Sequence, residues 1–161
     1  MTDTLTRKGR DPEKTTGLQK VLVVDDELDL RIFISALFKI GGYLPIATKD
    51  GKEGFRKARE CSPALIVLDV MMPGEGGVQM YRKLRTDPLL KKIPVIMLSA
   101  VNYKTFRHYL KMLNVRIAPP LPEPDAYLEK PPEAEELLAV AEKLMGTGRR
   151  PGGRRSGSAP S

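Results

Sequence analysis

Leu65-Ile66-Val67-Leu68 runs without a polar residue into Asp69, and Met71-Met72-Pro73-Gly74 follows almost at once. An unbroken apolar run fits a strand covered on both faces, as in a parallel sheet flanked by helices; a half-exposed strand would alternate. Proline and glycine end it. Asp69 therefore stands at the carboxyl edge of such a sheet, where open α/β folds place their ligand sites. Taken alone, an acid there is better explained as a solvent-facing loop residue. The other strand ends decide against that.

Val21-Leu22-Val23-Val24 reads as the first strand and ends in Asp25-Asp26-Glu27. Residues 28–40 carry Leu28, Ile32, Leu37 and Ile40 among other apolar positions, a pattern that predicts a largely buried helix stopped by Gly41-Gly42. Tyr43–Thr48 is a second strand. Asp50 caps the next helix, with Glu53 as its capping-box partner, and that helix runs to about Glu60. After the central strand, Val78, Tyr81 and Leu84 recur at helical spacing up to Thr86, and Asp87-Pro88 ends the helix. Ile93–Leu98 is the fourth strand, closing on Ser99-Ala100. A helix over Tyr103–Leu113 places Phe106, Leu110 and Leu113 on one side, and His108 on it has no metal-binding partner spaced nearby.

Pro119, Pro120, Pro122 and Pro124 bar a regular helix or an interior strand from residues 114–125. Ala126–Glu129 is a short fifth strand, followed by Lys130-Pro131-Pro132. The last helix has Glu133, Glu135 and Glu136 at its start and Lys143 at its end, matching the helix dipole, with Leu137, Ala141 and Leu144 as its core face and Gly146 as its stop. Strand and helix thus alternate five times, which predicts an α/β domain: a five-stranded parallel sheet, doubly wound, with right-handed crossovers.

The net charge of +7 raises the question of nucleic acid, so its distribution matters. Residues 149–161 carry four arginines and no acid, and residues 20–148 retain only +2. The excess lies in a Gly-, Ser- and Pro-rich segment, 147–161, expected as a disordered basic tail; residues 1–19, polar and without period, are expected as a flexible leader. No apolar run is long enough to cross a bilayer, and no secretory signal is visible. The single Cys61 excludes an intramolecular disulfide and fits a reducing, cytoplasmic setting.

Five parallel strands end on one edge. The first brings Asp25 and Asp26 there, the third Asp69, the fourth Ser99, and the fifth runs into Lys130. Three neighbouring carboxylates repel, so one takes a proton unless a cation compensates. A hard divalent cation with oxygen ligands is the natural compensator, and magnesium leaves room for a phosphate oxygen. A carboxylate nucleophile beside it can accept a phosphoryl group.

Val-Val-Asp-Asp-Glu (23–27), Val-Leu-Asp-Val-Met-Met-Pro (67–73), Pro-Val-Ile-Met-Leu-Ser-Ala (94–100) and Tyr-Leu-Glu-Lys-Pro (127–131), in this order and spacing, resemble the receiver domain of two-component response regulators. The likeness covers residues 20–146, with 114–125 as a Pro-rich insertion. It implies a flavodoxin-like sheet of strand order 2-1-3-4-5. It implies Asp69 as phosphoacceptor, and Mg2+ bound by Asp26, Asp69 and the Met71 backbone carbonyl with help from Asp25. It also implies Ser99 as switch hydroxyl, Tyr127 as switch aromatic and Lys130 as phosphate-pairing base. The implied donor is a sensor histidine kinase or phosphotransfer protein, and the implied output is control of a partner protein, with dimerisation open. The domain would be a switch, not an enzyme, beyond catalysing its own phosphorylation and dephosphorylation. The chain departs from the family at Gly76, where an acid is frequent, and at 114–125, where a short turn is usual. Two other readings compete. Asp-nucleophile phosphatases of the haloacid dehalogenase type place a second Asp two positions on, but Met71 stands there. A phosphorylation-linked nucleic-acid or acidic-partner module would act through the basic tail.

Overall fold

The computed structural model describes residues 17–71 and 76–146. The expected tail and nearly all of the expected leader lie outside the described residues. Five strands and five helices alternate: β1 (Lys20–Val24), α1 (Leu28–Ile40), β2 (Leu44–Thr48), α2 (Gly51–Cys61), β3 (Leu65–Asp69), α3 (Gly77–Thr86), β4 (Val95–Ser99), α4 (Tyr103–Asn114), β5 (Ala126–Glu129) and α5 (Ala134–Met145). All pairings are parallel, in the order β2-β1-β3-β4-β5, the expected flavodoxin-like arrangement.

The sheet divides two cores. On one face Ala58 of α2, Met80, Tyr81 and Leu84 of α3, and Phe106 and Leu110 of α4 pack on Leu22, Ile66, Leu68 and Met97. On the other, Ile34 and Phe38 of α1 and Leu137 and Ala141 of α5 pack on Val21, Val67, Ile96 and Leu98. Every residue of β3 is buried, as an apolar run served from both faces requires. Each of its four large aliphatic side chains contributes about 1.5–3 kcal/mol by leaving water.

Several local expectations are met in detail. The Asp50 side chain accepts from the Glu53 N–H at 2.8 Å, while the Glu53 carboxylate reaches the Lys49 N–H at 3.5 Å, one residue short of a closed capping box. Gly42 takes φ +94° beyond α1, and Gly146 takes φ +77° beyond α5. One expectation fails: α1 is not largely buried. Ile34 and Phe38 are its buried residues, whereas Leu28 and Ile32 are each 58% exposed and Ile40 84%. A helix lying on a sheet buries one stripe, and an apolar residue on the opposite side stays in water whatever its type.

The Pro-rich stretch is a strap, pinned by its few non-proline residues. Leu121 is buried in the core beneath α4. Its N–H donates to the Asn114 side chain at 2.8 Å, and its carbonyl accepts from the same side chain at 2.9 Å. The Tyr81 hydroxyl donates to the Pro122 carbonyl. Asp125 pairs with Arg85 at 2.9 Å and accepts from the Val95 N–H, fixing the approach to β5.

Candidate functional site

Strand register builds the site. Val24 pairs with Leu68 in β1–β3, so Asp25 and Asp69 come next on adjacent strands. Asp69 pairs with Leu98 and Ser99 with Glu129, so Ser99 and Lys130 follow in step. Backbone bonds hold this edge together: Asp25 N–H to the Thr48 carbonyl, Val70 N–H to that of Leu98, and Lys130 N–H to that of Ser99 at 2.8 Å.

Asp25 and Asp69 are each 1% exposed, whereas Asp26 faces solvent. Oxygens of the three lie within 4.8 Å of one another. Two such carboxylates about 4 Å apart repel by ~4 kcal/mol at an effective dielectric of 20, so ionising all of them needs nearby positive charge. Lys130 supplies part of it. Its Nζ stands 3.2 Å from Asp69 Oδ2, 3.3 Å from Asp25 Oδ2 and 2.9 Å from Glu27 Oε1. Burial, reinforced by the Asp25 charge, pushes the Asp69 carboxyl up to about 7 despite Lys130. Burial raises Asp25 as well, against the Glu27 N–H that bonds its Oδ1 at 2.8 Å. Burial alone would lower Lys130, but the bond to Glu27 and the charges of Asp69 and Asp25 hold it above its ordinary value.

The donor set fits a divalent cation. The Oδ2 atoms of Asp25 and Asp69 are fully buried and, apart from the ion-pair contacts with Lys130, accept no well-aligned hydrogen bond. Asp69 Oδ1 accepts from the Met71 N–H at 3.1 Å, which orients the carboxylate at the mouth of a cleft of about 1070 Å³. That cleft is lined by Asp26, Glu27, Asp69, Met71, Lys130 and Pro132 among others.

Ser99 is buried, and its Oγ accepts from the Val101 N–H at 3.0 Å. The Val101 carbonyl in turn accepts from the Tyr127 hydroxyl at 2.6 Å. The half-buried Tyr127 ring stacks on Phe106, centroids 5.0 Å apart, and lies against Tyr103 at 5.2 Å. The Tyr103 hydroxyl bonds Glu123 in the strap, and Arg107 pairs with the same carboxylate. Ser99, Tyr127 and the strap thus form one connected set.

Sequence reasoning brought Asp25, Asp26, Asp69, Ser99 and Lys130 to one edge, and the structure places them there. It missed Glu27, the nearest partner of Lys130; the acidic triplet at the end of β1 was the available signal. It also missed Gly77. A Cβ there would stand 2.1 Å from the Asp69 carbonyl oxygen and 2.7 Å from Val70 Cα, so α3 starts against the backbone that carries Asp69. Gly76 is the N-cap of α3 and offers no capping side chain. His108 is exposed on α4 and has no place in the site.

The sequence profile of the response regulator receiver domain matches residues 21–142. The chain is similar to hybrid signal transduction histidine kinase D of Dictyostelium discoideum, 35% identical over 78% of this chain and 7% of that protein. It is also similar to protein PilH of Pseudomonas aeruginosa, 28% identical over 80% of this chain and 98% of that one. It spans about half the length of the transcriptional regulators it matches, 48% and 52% for two of them. Among solved structures, the receiver domain of Francisella response regulator 1452 superposes with a TM-score of 0.67 at 30% identity, covering 81% of this chain and 99% of that one. No helix among the described residues is long and apolar enough to cross a membrane. With its strand order, its acidic edge and its Lys130 accounted for, the chain belongs to the response regulator receiver domain family, the phosphorylation-dependent signalling domains of two-component systems.

Proposed function

We propose that Asp69 is the phosphoacceptor of a receiver comprising residues 20–146, charged by a sensor histidine kinase or phosphotransfer protein. The observation that carries this is Lys130 Nζ 3.2 Å from the buried Asp69 Oδ2, in a cluster of three carboxylates where burial and the Asp25 charge raise the Asp69 carboxyl. Asp26, Asp69 and the Met71 carbonyl would hold Mg2+, with Asp25 assisting. When bound, that ion supplies the charge that favours the ionised forms of Asp25 and Asp69 and neutralises an incoming phosphoryl group.

An ionised Asp69 oxygen attacks phosphorus. The P–N bond of the donor phosphohistidine breaks, and its electron pair stays on the imidazole. Lys130 moves from sharing Asp25, Asp69 and Glu27 to pairing with a phosphoryl oxygen. The Ser99 hydroxyl donates to another, drawing on the β4–α4 turn that Val101 and Tyr127 hold. The domain is a signalling switch, not a classical enzyme, and the one reaction proposed for it is on itself. The lone thiol of Cys61 suits a cytoplasmic setting.

The test is labelling with Mg2+ and acetyl phosphate. The wild type gains one acid- and base-labile phosphoryl group. Asp69→Asn does not label at that position, and Asp26→Asn weakens metal binding. Label that survives Asp69→Asn unchanged would assign the acceptor elsewhere. Sustained release of phosphate from a general phosphomonoester would overturn the reading altogether.

A further inference from the structure

A second cation stands behind the acidic edge. Arg31, in the first turn of α1, is half-buried and is not among the residues that line the acidic cleft. It lines a separate groove of about 360 Å³ with Ile32, Lys39 and Pro45. Glu27, four residues before it, has the spacing of a helical ion pair, yet Glu27 pairs with Lys130. Arg31 makes no ion pair among the described residues. Its Nη1 donates to the main-chain carbonyl of Asp25 at 2.8 Å.

That carbonyl lies just past the end of β1, and no main-chain N–H among the described residues reaches it. The Asp25 N–H is already bound to the Thr48 carbonyl. The guanidinium therefore fixes the other end of the residue. The Asp25 carbonyl and the Asp26 N–H share one planar peptide unit, so holding the first sets the plane from which Asp26 departs. Asp26 has little else to hold it. Lys130 reaches Asp25, Glu27 and Asp69 but not Asp26. No lysine, arginine or main-chain N–H among the described residues donates to the Asp26 carboxylate. Its side chain is exposed, so its pose depends on the backbone that carries it.

We propose that Arg31 is a positioning residue for the divalent cation: by holding the Asp25–Asp26 peptide from behind, it aims the Asp26 carboxylate at the ion. The inference rests on the reading of Asp26 as a ligand of that ion. Arg31 touches neither the ion nor a phosphoryl group, because it opens onto the other groove. Charge and position then predict opposite signs. Removing a cation from behind an acidic cluster strengthens its pull on a divalent ion. Releasing the peptide weakens binding, by about tenfold on the scale seen when groups that orient metal ligands are lost.

The experiment titrates Mn2+, a hard divalent ion suited to the same oxygen donors, into the full metal-free chain and reads the free ion by electron paramagnetic resonance. Arg31→Met keeps an apolar stem and should weaken binding by about tenfold. Arg31→Lys still offers an N–H to the single carbonyl and should recover most of that loss. Once Asp26 is replaced by Asn, adding Arg31→Met should cost less than about twofold more, because it acts through Asp26. In labelling with acetyl phosphate, Arg31→Met should raise the Mg2+ concentration for half-maximal label and leave the label at saturating Mg2+ at the wild-type level. Metal-free melts show which variants fold; if Arg31→Met does not, Arg31→Gln takes its place in every arm. Binding unchanged or tightened in Arg31→Met would overturn the proposal, the second outcome by reducing Arg31 to its charge. So would losses that add in the double variant, or an Arg31→Lys as weak as Arg31→Met. An Asp26→Asn that binds Mn2+ as the wild type does would refute the ligand reading itself. A weakened Asp26→Asn beside an unaffected Arg31→Met would refute only the role of Arg31.

Discussion

Lys130 donates to Glu27 at 2.9 Å, closer than its 3.2 Å approach to Asp69. The lysine that would neutralise a phosphoryl group is thus held in part by an acid at the far side of the cleft. Glu27 is 60% exposed in its side chain, so the pair is worth at most ~1 kcal/mol. Glu27→Gln should free Lys130 and remove a charge that repels phosphate. At saturating Mg2+ the steady-state label on Asp69 should rise, by no more than about fivefold. A fall would mean that Glu27 positions Lys130 instead of competing for it.

Asp69 gives the metal-free protein a pH dependence of definite sign. Its carboxyl is raised from 3.8 to about 7 by burial and by Asp25. A group that holds its proton more firmly when folded stabilises the fold while protonated. That contribution is complete below 3.8 and is lost as pH rises through about 7. The Tm of the wild type should therefore fall relative to Asp69→Asn, which stays neutral, across this window. Metal binding requires the ionised carboxylate, so Mg2+ should raise the wild-type Tm far more at about pH 8 than at about pH 5. Parallel melting curves for the two proteins in the absence of metal would refute the raised carboxyl.

Gly77 and Gly76 should respond oppositely to substitution. Gly77→Ala drives a Cβ into the Asp69 carbonyl, and backbone cannot yield as a side-chain tip can. The cost should be about 1–3 kcal/mol, as for overpacking, with a loss of Asp69 labelling. Gly76→Asp adds a capping oxygen at the start of α3, where Gly now caps with backbone alone. It should gain a few tenths of a kcal/mol. Denaturant melts of both variants check the pair.

The strap should behave as part of the core. Leu121 is 4% exposed, and Leu121→Ala should cost about 2 kcal/mol or more. Asn114→Ala removes both bonds to the Leu121 backbone and should cost about 1–2 kcal/mol. Deleting residues 116–124 removes the anchor with the loop, so these point variants test the strap more cleanly. A stability unchanged in both would make it a passive insertion.

The fold was legible because parallel strands buried on both faces leave unbroken apolar runs, and β1, β3 and β4 each do so. The acidic edge was legible because strand order and register follow from that topology: once Val24 pairs with Leu68, Asp25 must neighbour Asp69. What the sequence hid depends on orientation across the fold. The outward faces of Leu28, Ile32 and Ile40 follow from where α1 meets the sheet, and apolar content alone does not report that. The pinning of the strap depends on Tyr81 and Arg85, far from it in sequence, while prolines announce only what a segment cannot form.

The lifetime of the phosphoryl group should be set by two side chains that flank the site without polar groups of their own. Met71 lies two residues after Asp69, is 60% exposed and lines the acidic cleft. Val101 lies two after Ser99 and lines the adjoining groove with Met71. Hydrolysis of an acyl phosphate needs a water in line with the bond to Asp69. Neither a thioether in this position nor an isopropyl group orients that water, so the phosphorylated state should be comparatively long-lived. Met71→Asn supplies an amide at the cleft and should speed loss of label by about fivefold, the equivalent of one neutral hydrogen bond of ~1 kcal/mol. Val101→Glu should act in the same direction. The measurement is the decay of label on Asp69 after the donor is removed. Lifetimes unchanged in both variants would show that the water is oriented from elsewhere, with the carboxylates of Asp25 and Asp26 as the next groups to test.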